Sequence, residues 1–466
     1  MYPQYSTCPL NKQASEEQAN TIGQQVEQFL HPLIVCLDLV LDRRLVRTFV
    51  QAVIAIIVHR SRSTGLWLSE LGGVLLSPDH APAGTKRLSN LLLSPNWCSL
   101  VIDVFLWKRA EAFVKRLQET GGPILALWDS CVLEKAESWA AEGLCAVIST
   151  KAKRLKRIKP GFFNPPGGRP ICVPGFHWMA LLLCGMSGVP ILASLNWWTT
   201  RGSMATTGRE IARTMLWYAQ RTWGQLLLPI FDQGFAGLPW LLVLVASQLR
   251  FLLRWRADYH LCDLQGHKKS PGHLTGHLRA WQQAPGWDAV HQRTILLKVL
   301  ALPVRHPDPA LADQCFWLVV CRRDHNLLPW YLLTNEPITS ADDLWTLVFA
   351  YARRWQIEQM WRTCKHELAF ESPRLHSFEH RRRLLMLASL AYAFLLELMR
   401  PPWDGTRDWI LHFWCRRTGS WTHQTLVPFT RLRTALSQLW TAFPPSIVLP
   451  GRSSPSVALR LFQDSG

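Results

Sequence analysis

Residues 351–365 read YARRWQIEQMWRTCK, and the interpretation of the whole chain starts from this stretch. At about 100° of rotation per residue in an α-helix, Tyr351, Arg354, Glu358 and Lys365 fall within an arc of about 60° on one face. Apolar residues form an adjoining seam, so the four side chains would lie at the border of the buried face. Taken alone, the stripe is also compatible with an ordinary amphipathic helix whose Arg–Glu pair contributes about 0.2–0.5 kcal/mol.

A helix start is predicted shortly before this stretch. Ser340 is followed three residues later by Asp343, the capping-box spacing that satisfies the free amide groups at a helix start. We therefore predict one long helix that begins here, carries the four-residue stripe and ends before Pro373.

Two apolar segments upstream each end in an aspartate. Ile124–Trp128 precedes Asp129 and Leu227–Phe231 precedes Asp232, and both segments are typical of β-strands. Strands of an open α/β sheet present their carboxyl ends at the edge where active sites lie. Carboxylate oxygens at that edge would suit Mg²⁺. Because a strand-end aspartate taken alone is more often a helix N-cap, position leaves both interpretations open.

Composition restricts the class of partner. The chain has 466 residues, a hydrophobic content of 48% and 51 Lys+Arg against 33 Asp+Glu, which gives a net charge of +18. The length predicts two to four domains, and the basic excess indicates nucleic acid or an anionic membrane surface. The most apolar stretch, Leu238–Leu253, is interrupted by Gln248 and Arg250 and is too short to cross a bilayer comfortably. We therefore expect nucleic acid and no membrane.

The cysteines and the first residues predict a reducing compartment. Twelve cysteines lie at irregular spacings without a C-x-x-C pair, which argues against a zinc ribbon and a disulfide framework. Residues 1–17 are polar and acidic before any apolar run, so neither a secretory signal nor a transit peptide is predicted. A cytoplasmic location is the expectation.

The order of these features resembles a known family. Two strands that end in aspartate, a strand-rich segment and then Tyr-x2-Arg-x3-Glu-x6-Lys are similar to the transposases of bacterial insertion-sequence family four, the group of the transposon-five transposase. The helix stripe reproduces the spacing of that family's YREK motif. The flanks Phe231–Phe235 and Leu333–Asn335 also resemble the family, and the resemblance covers about residues 125–375.

The resemblance implies an α/β protein with a ribonuclease H-like catalytic core and an acidic triad. By position the triad is Asp129, Asp232 and Glu358. In the family such residues hold metal rather than act as nucleophiles, with two Mg²⁺ ions (Mn²⁺ as a substitute) about 3.5–4 Å apart across the scissile phosphate.

Five segments are predicted from the resemblance and from the change between helix-like and strand-like sequence patterns along the chain. They are an N-terminal helical, DNA-binding domain (1–118), the first part of the core (119–259), a β-rich insertion (260–335), the rest of the core with the glutamate-bearing helix (336–400) and a C-terminal region for DNA or dimer contacts (401–466).

Further DNA contacts are expected from basic residues. The resemblance assigns phosphate contacts to Tyr351, Arg354 and Lys365, and the charges of Arg and Lys suit that task. Residues 151–159 contain six basic residues in nine positions, which favours phosphate binding over a solvated hairpin tip. The candidates in that run are Lys153, Arg154, Lys156 and Arg157.

Three other features are open to two interpretations each. Arg381–Arg383 would contact DNA or cap a neighbouring helix. Trp281 or Trp287 would stack on a flipped base, because several relatives cut the second strand through a hairpin, or would simply be structural. Glu134, five residues beyond Asp129, would be an accessory carboxylate or, as we favour, a member of a surface salt bridge.

The function implied by the resemblance is transposition. The enzyme would work as a homodimer in the bacterial cytoplasm at the nucleoid, cut the terminal inverted repeats of double-stranded DNA and join the 3′ ends to target DNA. One alternative is a catalytically inactive relative that occupies transposon ends and inhibits transposition. Another is a ribonuclease H-like nuclease of a different pathway. Acids at all three triad positions favour activity, and strand transfer would distinguish a transposase from a nuclease.

Overall fold

A computed structural model describes residues 12–59, 65–135, 140–149, 171–288, 293–323, 327–415, 429–449 and 451. The basic run 151–159, with Lys153, Arg154, Lys156 and Arg157, lies outside the described residues, so its role stays a prediction.

Helices occupy both ends of the described part of the chain and alternate with strands between them. The α-helices are α1 (Lys12–Asp38), α2 (Arg43–Val58), α3 (Leu68–Leu75), α4 (Ala81–Leu93), α5 (Leu100–Glu119), α6 (Gly208–Trp223), α7 (Leu238–Ala246), α8 (Pro271–Thr275), α9 (Ala341–Ala352), α10 (Trp355–Arg362), α11 (Phe378–Leu398), α12 (Asp404–Trp414) and α13 (Phe429–Ala442). The strands are β1 (Ile124–Glu134), β2 (Cys145–Ile148), β3 (Cys172–Cys184), β4 (Ile191–Trp198), β5 (Leu227–Phe231), β6 (Leu252–Arg254), β7 (Leu261–Cys262), β8 (Lys268–Lys269), β9 (Gln282–Asp288), β10 (Arg293–Arg305), β11 (Cys315–Arg322) and β12 (Trp330–Thr334). The predicted mixed α/β class is confirmed.

All twelve strands join one mixed sheet. Its order is β2-β3-β1-β5-β6-β12-β11-β10-β7-β8, with β4 also on β3 and β9 also on β10. β3 is antiparallel to β1 and β4 to β3, whereas β5 is parallel to β1 and β6 to β5. The antiparallel strands β10, β11 and β12 attach to β6 through β12. The strand-rich segment therefore continues the sheet that carries the two aspartates.

Strand β3 was not expected from the sequence. It contains Pro174 and Gly175, which lower strand propensity. Yet a Cβ at Gly175 would lie 2.4 Å from the carbonyl oxygen of Leu133 on β1, so this close pairing of β1 and β3 needs a glycine. The residue that weakens the sequence signal is the one that allows the strands to approach.

Successive side chains of β1 point to opposite faces of the sheet and enter two different hydrophobic cores. Trp128 packs with α6 and α7 on one face of the sheet. Leu127 faces the other way and belongs to a core that includes α10, α11 and the N-terminal helices. Because α1 and α2 also contact α13, residues from both ends of the chain complete this second core. The boundaries of the five predicted segments stay a prediction.

No single helix among the described residues is long and apolar enough to cross a membrane. One pair, Phe378–Leu398 with Pro401–Trp414, passes by length and composition and is bent by 79° at the break.

The Arg381–Arg383 run attaches α11 to its neighbours. Arg383 is buried and donates to the carbonyl oxygens of Leu92 and Ser94, both at 2.7 Å, at the carboxyl end of α4. Arg382 lies 3.5 Å from a carboxylate oxygen of Asp103 on α5. Arg383 thus has the helix-capping role, one of the two that the sequence left open.

Replacement of Arg383 should destabilise the fold. Arg383→Met leaves two buried carbonyl groups without a charged donor, so we expect the free energy of unfolding to fall by about 2–3 kcal/mol. Urea unfolding followed by circular dichroism measures it. Arg87→Met, at an exposed position of α4, is the matched control and should change stability by less than about 0.5 kcal/mol. Equal stability of the two variants would contradict the capping role.

Candidate active site

Two aspartates are neighbours across β1 and β5. Trp128 pairs in parallel register with Phe231, so the residues that follow them, Asp129 and Asp232, come next to each other. β5 ends at Phe231. The sequence predicted that Asp129 also ends its strand, but it lies inside β1, because β3 pairs with β1 as far as Glu134.

Side-chain alternation directs both aspartates to one face. Leu127 and Ile230, each two residues before an aspartate, belong to the same core as Ile357 and Trp361 of α10. Residues two apart along an extended chain share a face, and the residue after β5 keeps an extended backbone with φ −77° and ψ 169°. Both carboxylates are therefore on the side of α10, the helix that carries Glu358.

The predicted long helix is interrupted. The Ser340–Asp343 capping box is present and starts α9. The chain then breaks between α9 and α10, where the amide of Arg354 donates to the carbonyl of Tyr351 at 3.0 Å in the tighter i→i+3 pattern. After α10, residues 363–367 form a π-helical turn. No glycine or proline marks either irregularity, so the sequence did not reveal them.

Arg354 lies among the carboxylates. Its Nη2 donates to Oε1 of Glu358, and its Nε is 4.0 Å from Oδ1 of Asp232. The hydroxyl of Tyr351 donates to the same Oδ1 of Asp232 at 3.4 Å. Burial lowers the pKa of Arg354, but the surrounding Tyr351, Asp232, Glu358 and Asp129 outweigh that effect and raise it. The guanidinium therefore stays charged and offsets the repulsion between the acids.

Asp129 is held by a tryptophan of α10. Its Oδ2 accepts a hydrogen bond from Nε1 of Trp361 at 2.9 Å, and its Oδ1 accepts one from the next backbone amide at 2.9 Å. Burial raises the pKa of Asp129 to about 6, although the charge of Arg354 and the bond from Trp361 lower it. Trp361 in turn packs against Trp178 of β3 with ring centroids 4.4 Å apart. The sequence had shown Trp361 only as part of the apolar seam.

The donor set fits a divalent cation. Three carboxylates supply hard oxygen ligands, and the place between Asp232 and Glu358 already accommodates the positive charge of Arg354. Among the described residues, however, no group of three or more His, Cys, Asp or Glu is gathered closely enough to hold a metal ion.

Lys365 does not join the other three motif residues. It lies in the π-helical turn and forms an ion pair with Glu371, Nζ to Oε1 3.5 Å. A π-helical turn rotates less per residue than an α-helix, so Lys365 is turned away from the face that carries Glu358. The common face predicted for four residues therefore holds only for Tyr351, Arg354 and Glu358.

A second tryptophan near the site, besides Trp361, is Trp330. Its ring meets that of Tyr351 edge-on with centroids 5.1 Å apart, and the guanidinium of Arg323 lies 4.8 Å from the Trp330 ring centroid. Of the two predicted tryptophans, Trp281 is 53% exposed, and the side chain of Trp287 lies outside the described residues. With 24 tryptophans in the chain, the sequence offered no reason to select Trp330.

Glu134 is not the surface residue that the sequence favoured. It is buried at the end of β1 and accepts a hydrogen bond from the hydroxyl of Ser149 at 2.7 Å. The pairing of β1 with β3 continues to this residue and covers it.

Comparison with known proteins supports a DDE transposase. Residues 205–394 match the family model of the transposase DDE domain, a range that contains Asp232 and Glu358 but not Asp129. No curated protein matches the chain. Among solved structures, the cryo-EM structure of the piggyBac transposase synaptic complex with hairpin DNA is similar, with 10% identity, 97% of this chain and 84% of that chain covered, and a TM-score of 0.36. A TM-score of that size carries no argument about the fold.

The hydrogen bond to Asp129 should give a pH-dependent stability effect. Trp361→Phe keeps the aromatic packing but removes the N–H donor. Because the bond is charge-assisted only when Asp129 is ionised, we expect a loss of about 1.5–3 kcal/mol in the free energy of unfolding at pH 8. Below the Asp129 pKa of about 6, the carboxyl group is protonated, and the loss should shrink to about 1 kcal/mol at pH 5.

Trp197→Phe is the matched control, since Trp197 stacks on Trp178 at 4.2 Å and its Nε1 has no hydrogen-bond partner among the described residues. Chemical unfolding of both variants at the two pH values measures the difference. A Trp361→Phe effect that is the same at pH 5 and pH 8 would contradict the proposed bond to the carboxylate.

Proposed function

We propose that this protein is a DNA transposase that cuts the ends of an insertion sequence and joins them to target DNA in a metal-dependent reaction. The observation that carries the proposal is that Asp129, Asp232 and Glu358 all lie on one side of the sheet and all act on the guanidinium of Arg354. The match of residues 205–394 to the transposase DDE domain supports it. The mixed sheet, with Asp129 on a central strand and Asp232 after its parallel neighbour, supports a ribonuclease H-like core.

The three acids are the proposed metal ligands, for Mg²⁺ with Mn²⁺ as a substitute. When bound, such ions activate water or a 3′-hydroxyl and stabilise the leaving oxygen of the phosphodiester. The chain contributes orientation: Trp361 fixes Asp129, and Tyr351 donates to Asp232. Because the carboxylates would be metal ligands, none of them is proposed as a nucleophile.

Arg354 is proposed to change partners when DNA binds. A guanidinium forms paired N–H hydrogen bonds with phosphate oxygens, as it does with the oxygens of a carboxylate. If Arg354 moves from Glu358 to a DNA phosphate, the glutamate becomes available as a ligand. Tyr351, Lys365 and the basic residues of the 151–159 run are proposed as further DNA contacts, consistent with the net charge of +18.

The proposed setting follows from this chemistry. Double-stranded DNA supplies both partners, the terminal inverted repeats and the target. Two ends must be brought together, which suits a homodimer in the bacterial cytoplasm at the nucleoid. The membership of the YREK-motif group remains part of the proposal.

Glu358→Gln tests the proposed site. Purified protein is incubated with Mg²⁺ or Mn²⁺ and DNA that carries the inverted repeats flanking its gene, and cleavage and strand-transfer products are resolved on denaturing gels. We expect the variant to bind the ends but to lose cleavage by about a thousandfold or more, since several kcal/mol of transition-state stabilisation depend on a metal ligand. Glu119→Gln, at an exposed position of α5, should cut normally.

The outcomes separate the candidates. Cleavage by Glu358→Gln at the wild-type rate would remove Glu358 from the site. A wild-type protein that binds the ends tightly but cuts with neither metal would instead be the inactive, end-occupying relative. Cleavage without joining would indicate a nuclease.

Trp330 is the proposed stacking platform for a flipped base if the second strand is cut through a hairpin. Its position against Tyr351, which contacts Asp232, places it beside the triad. Base stacking on an aromatic ring is worth about 1–3 kcal/mol, so Trp330→Ala should lower the yield of hairpin product by about tenfold or more. Trp281→Ala is the control, and a larger loss in that variant would restore the sequence-based interpretation.

A further inference from the structure

Helix α6 carries an exposed basic and aromatic surface that the proposed chemistry does not use. Arg209, Arg213, Trp217 and Arg221 recur every fourth residue, and all four are exposed. We call these four residues the α6 stripe. Successive members advance by about 40° around the axis, and the first and last are about 18 Å apart along it. The stripe therefore winds along the outer side of the whole helix.

The arginines of the stripe are available for an external partner. Among the described residues, none of Arg209, Arg213 and Arg221 has an ion-pair partner. The acid on this helix, Glu210, is occupied, since it accepts from the hydroxyl of Thr206 at 2.8 Å and from the capping amide at the helix start at 2.9 Å. The outer side of α6 thus presents three unneutralised guanidinium groups.

Trp217 orients one of these groups. Its ring is 48% exposed. The guanidinium of Arg221 lies 4.8 Å from the centroid of the Trp217 ring. The ring of Tyr218 meets the Trp217 ring edge-on, with centroids 4.9 Å apart. A guanidinium that lies over an aromatic ring still has its N–H donors at its edge. These donors are then available for paired hydrogen bonds to phosphate. A position near the carboxyl end of the helix also favours a positive side chain, but that effect explains only Arg221 and not the two arginines near the start.

The stripe lies on the opposite side of the sheet from the carboxylates. The buried side of α6, which includes Met215 and Leu216, packs into the core that contains Trp128 and Phe231. The aspartates project into the other core, together with α10. The sheet and the body of α6 therefore lie between the stripe and Asp129, and the stripe faces away from a phosphate bound there.

We propose that the α6 stripe binds the phosphate backbone of a segment of duplex DNA other than the one cut at the carboxylates. The inference rests on the proposed function, because an enzyme that joins DNA ends to a target must hold more than one segment. A span of about 18 Å along the duplex axis corresponds to about five phosphates of one strand, because each phosphate of a strand advances about 3.4 Å along that axis. Three arginines along that span make sequence-independent contacts, since they face phosphates and not base edges.

The salt dependence of DNA binding tests the stripe. Wild-type protein and the triple variant Arg209→Gln, Arg213→Gln, Arg221→Gln are titrated against a fluorescent 40-base-pair duplex of arbitrary sequence, with EDTA present, from 50 to 200 mM NaCl. We expect the slope of log Kobs against log salt concentration to become shallower by about 2.7 for three lost phosphate contacts. Binding at 50 mM NaCl should weaken by about tenfold or more.

A charge-matched variant is the control. Arg256→Gln, Arg279→Gln, Arg374→Gln removes the same formal charge from three exposed loop positions outside the predicted N-terminal DNA-binding domain, and its slope should change by less than about one. An equal change in both triple variants would reduce the effect to net charge and overturn the proposal. An unchanged slope for the stripe variant would overturn it as well, and a changed oligomeric state by sedimentation with an unchanged slope would identify the surface as a protein contact instead.

The assay distinguishes failure of this inference from failure of the proposed function. EDTA removes divalent ions, so the result does not depend on Asp129, Asp232 or Glu358. If the protein never cuts DNA but the salt dependence of binding becomes shallower in the stripe variant, the α6 stripe is a DNA-binding surface and the proposed transposase function is wrong. If the protein cuts and joins DNA normally but the salt dependence of binding is unchanged in the stripe variant, the proposed function holds and the proposed role of the stripe is wrong.

Discussion

Arg354 resolves the electrostatic problem on which this structure depends. Two aspartates on neighbouring strands and a glutamate on the facing helix repel each other, and burial makes that repulsion stronger because the local dielectric is low. Burial, and to a smaller extent the charge of Asp232, raises the pKa of Asp129 to about 6. The guanidinium beside Asp232 and Glu358 offsets the repulsion while the protein is free. The same excess of negative charge is what would attract divalent cations to the proposed metal site.

Rigid apolar packing keeps these charges in place. Trp361, which donates to Asp129, packs on Trp178, and Trp178 also stacks on Trp197 and contacts Phe370. This aromatic cluster joins α10 to β3 and β4 and fixes the distance between helix and sheet.

The sequence predicted the parts of the site that local patterns encode. The apolar runs before Asp129 and Asp232 identified β1 and β5, and the spacing of Arg354 and Glu358 identified a shared face. Longer-range effects decided what the sequence did not reveal. Pairing with β3 carries β1 past Asp129, and β3 itself was obscured by Pro174 and Gly175, residues that only the packing against β1 explains. The helix break, the π-helical turn at Lys365 and the contact of Trp330 with Tyr351 depend on tertiary packing, which overrides local propensity.

The distribution of arginines also limits what net charge can say about DNA. Part of the charge of +18 is internal: Arg383 caps α4, and Arg433 is buried and donates to the carbonyls of Ile56 and His59. Such residues hold the N-terminal helices to α11 and α13 and cannot face a polyanion. The arginines of α6 differ because they combine exposure with the absence of acidic partners among the described residues. The burial of an arginine and the partners of its guanidinium therefore identify its structural role, which total charge does not.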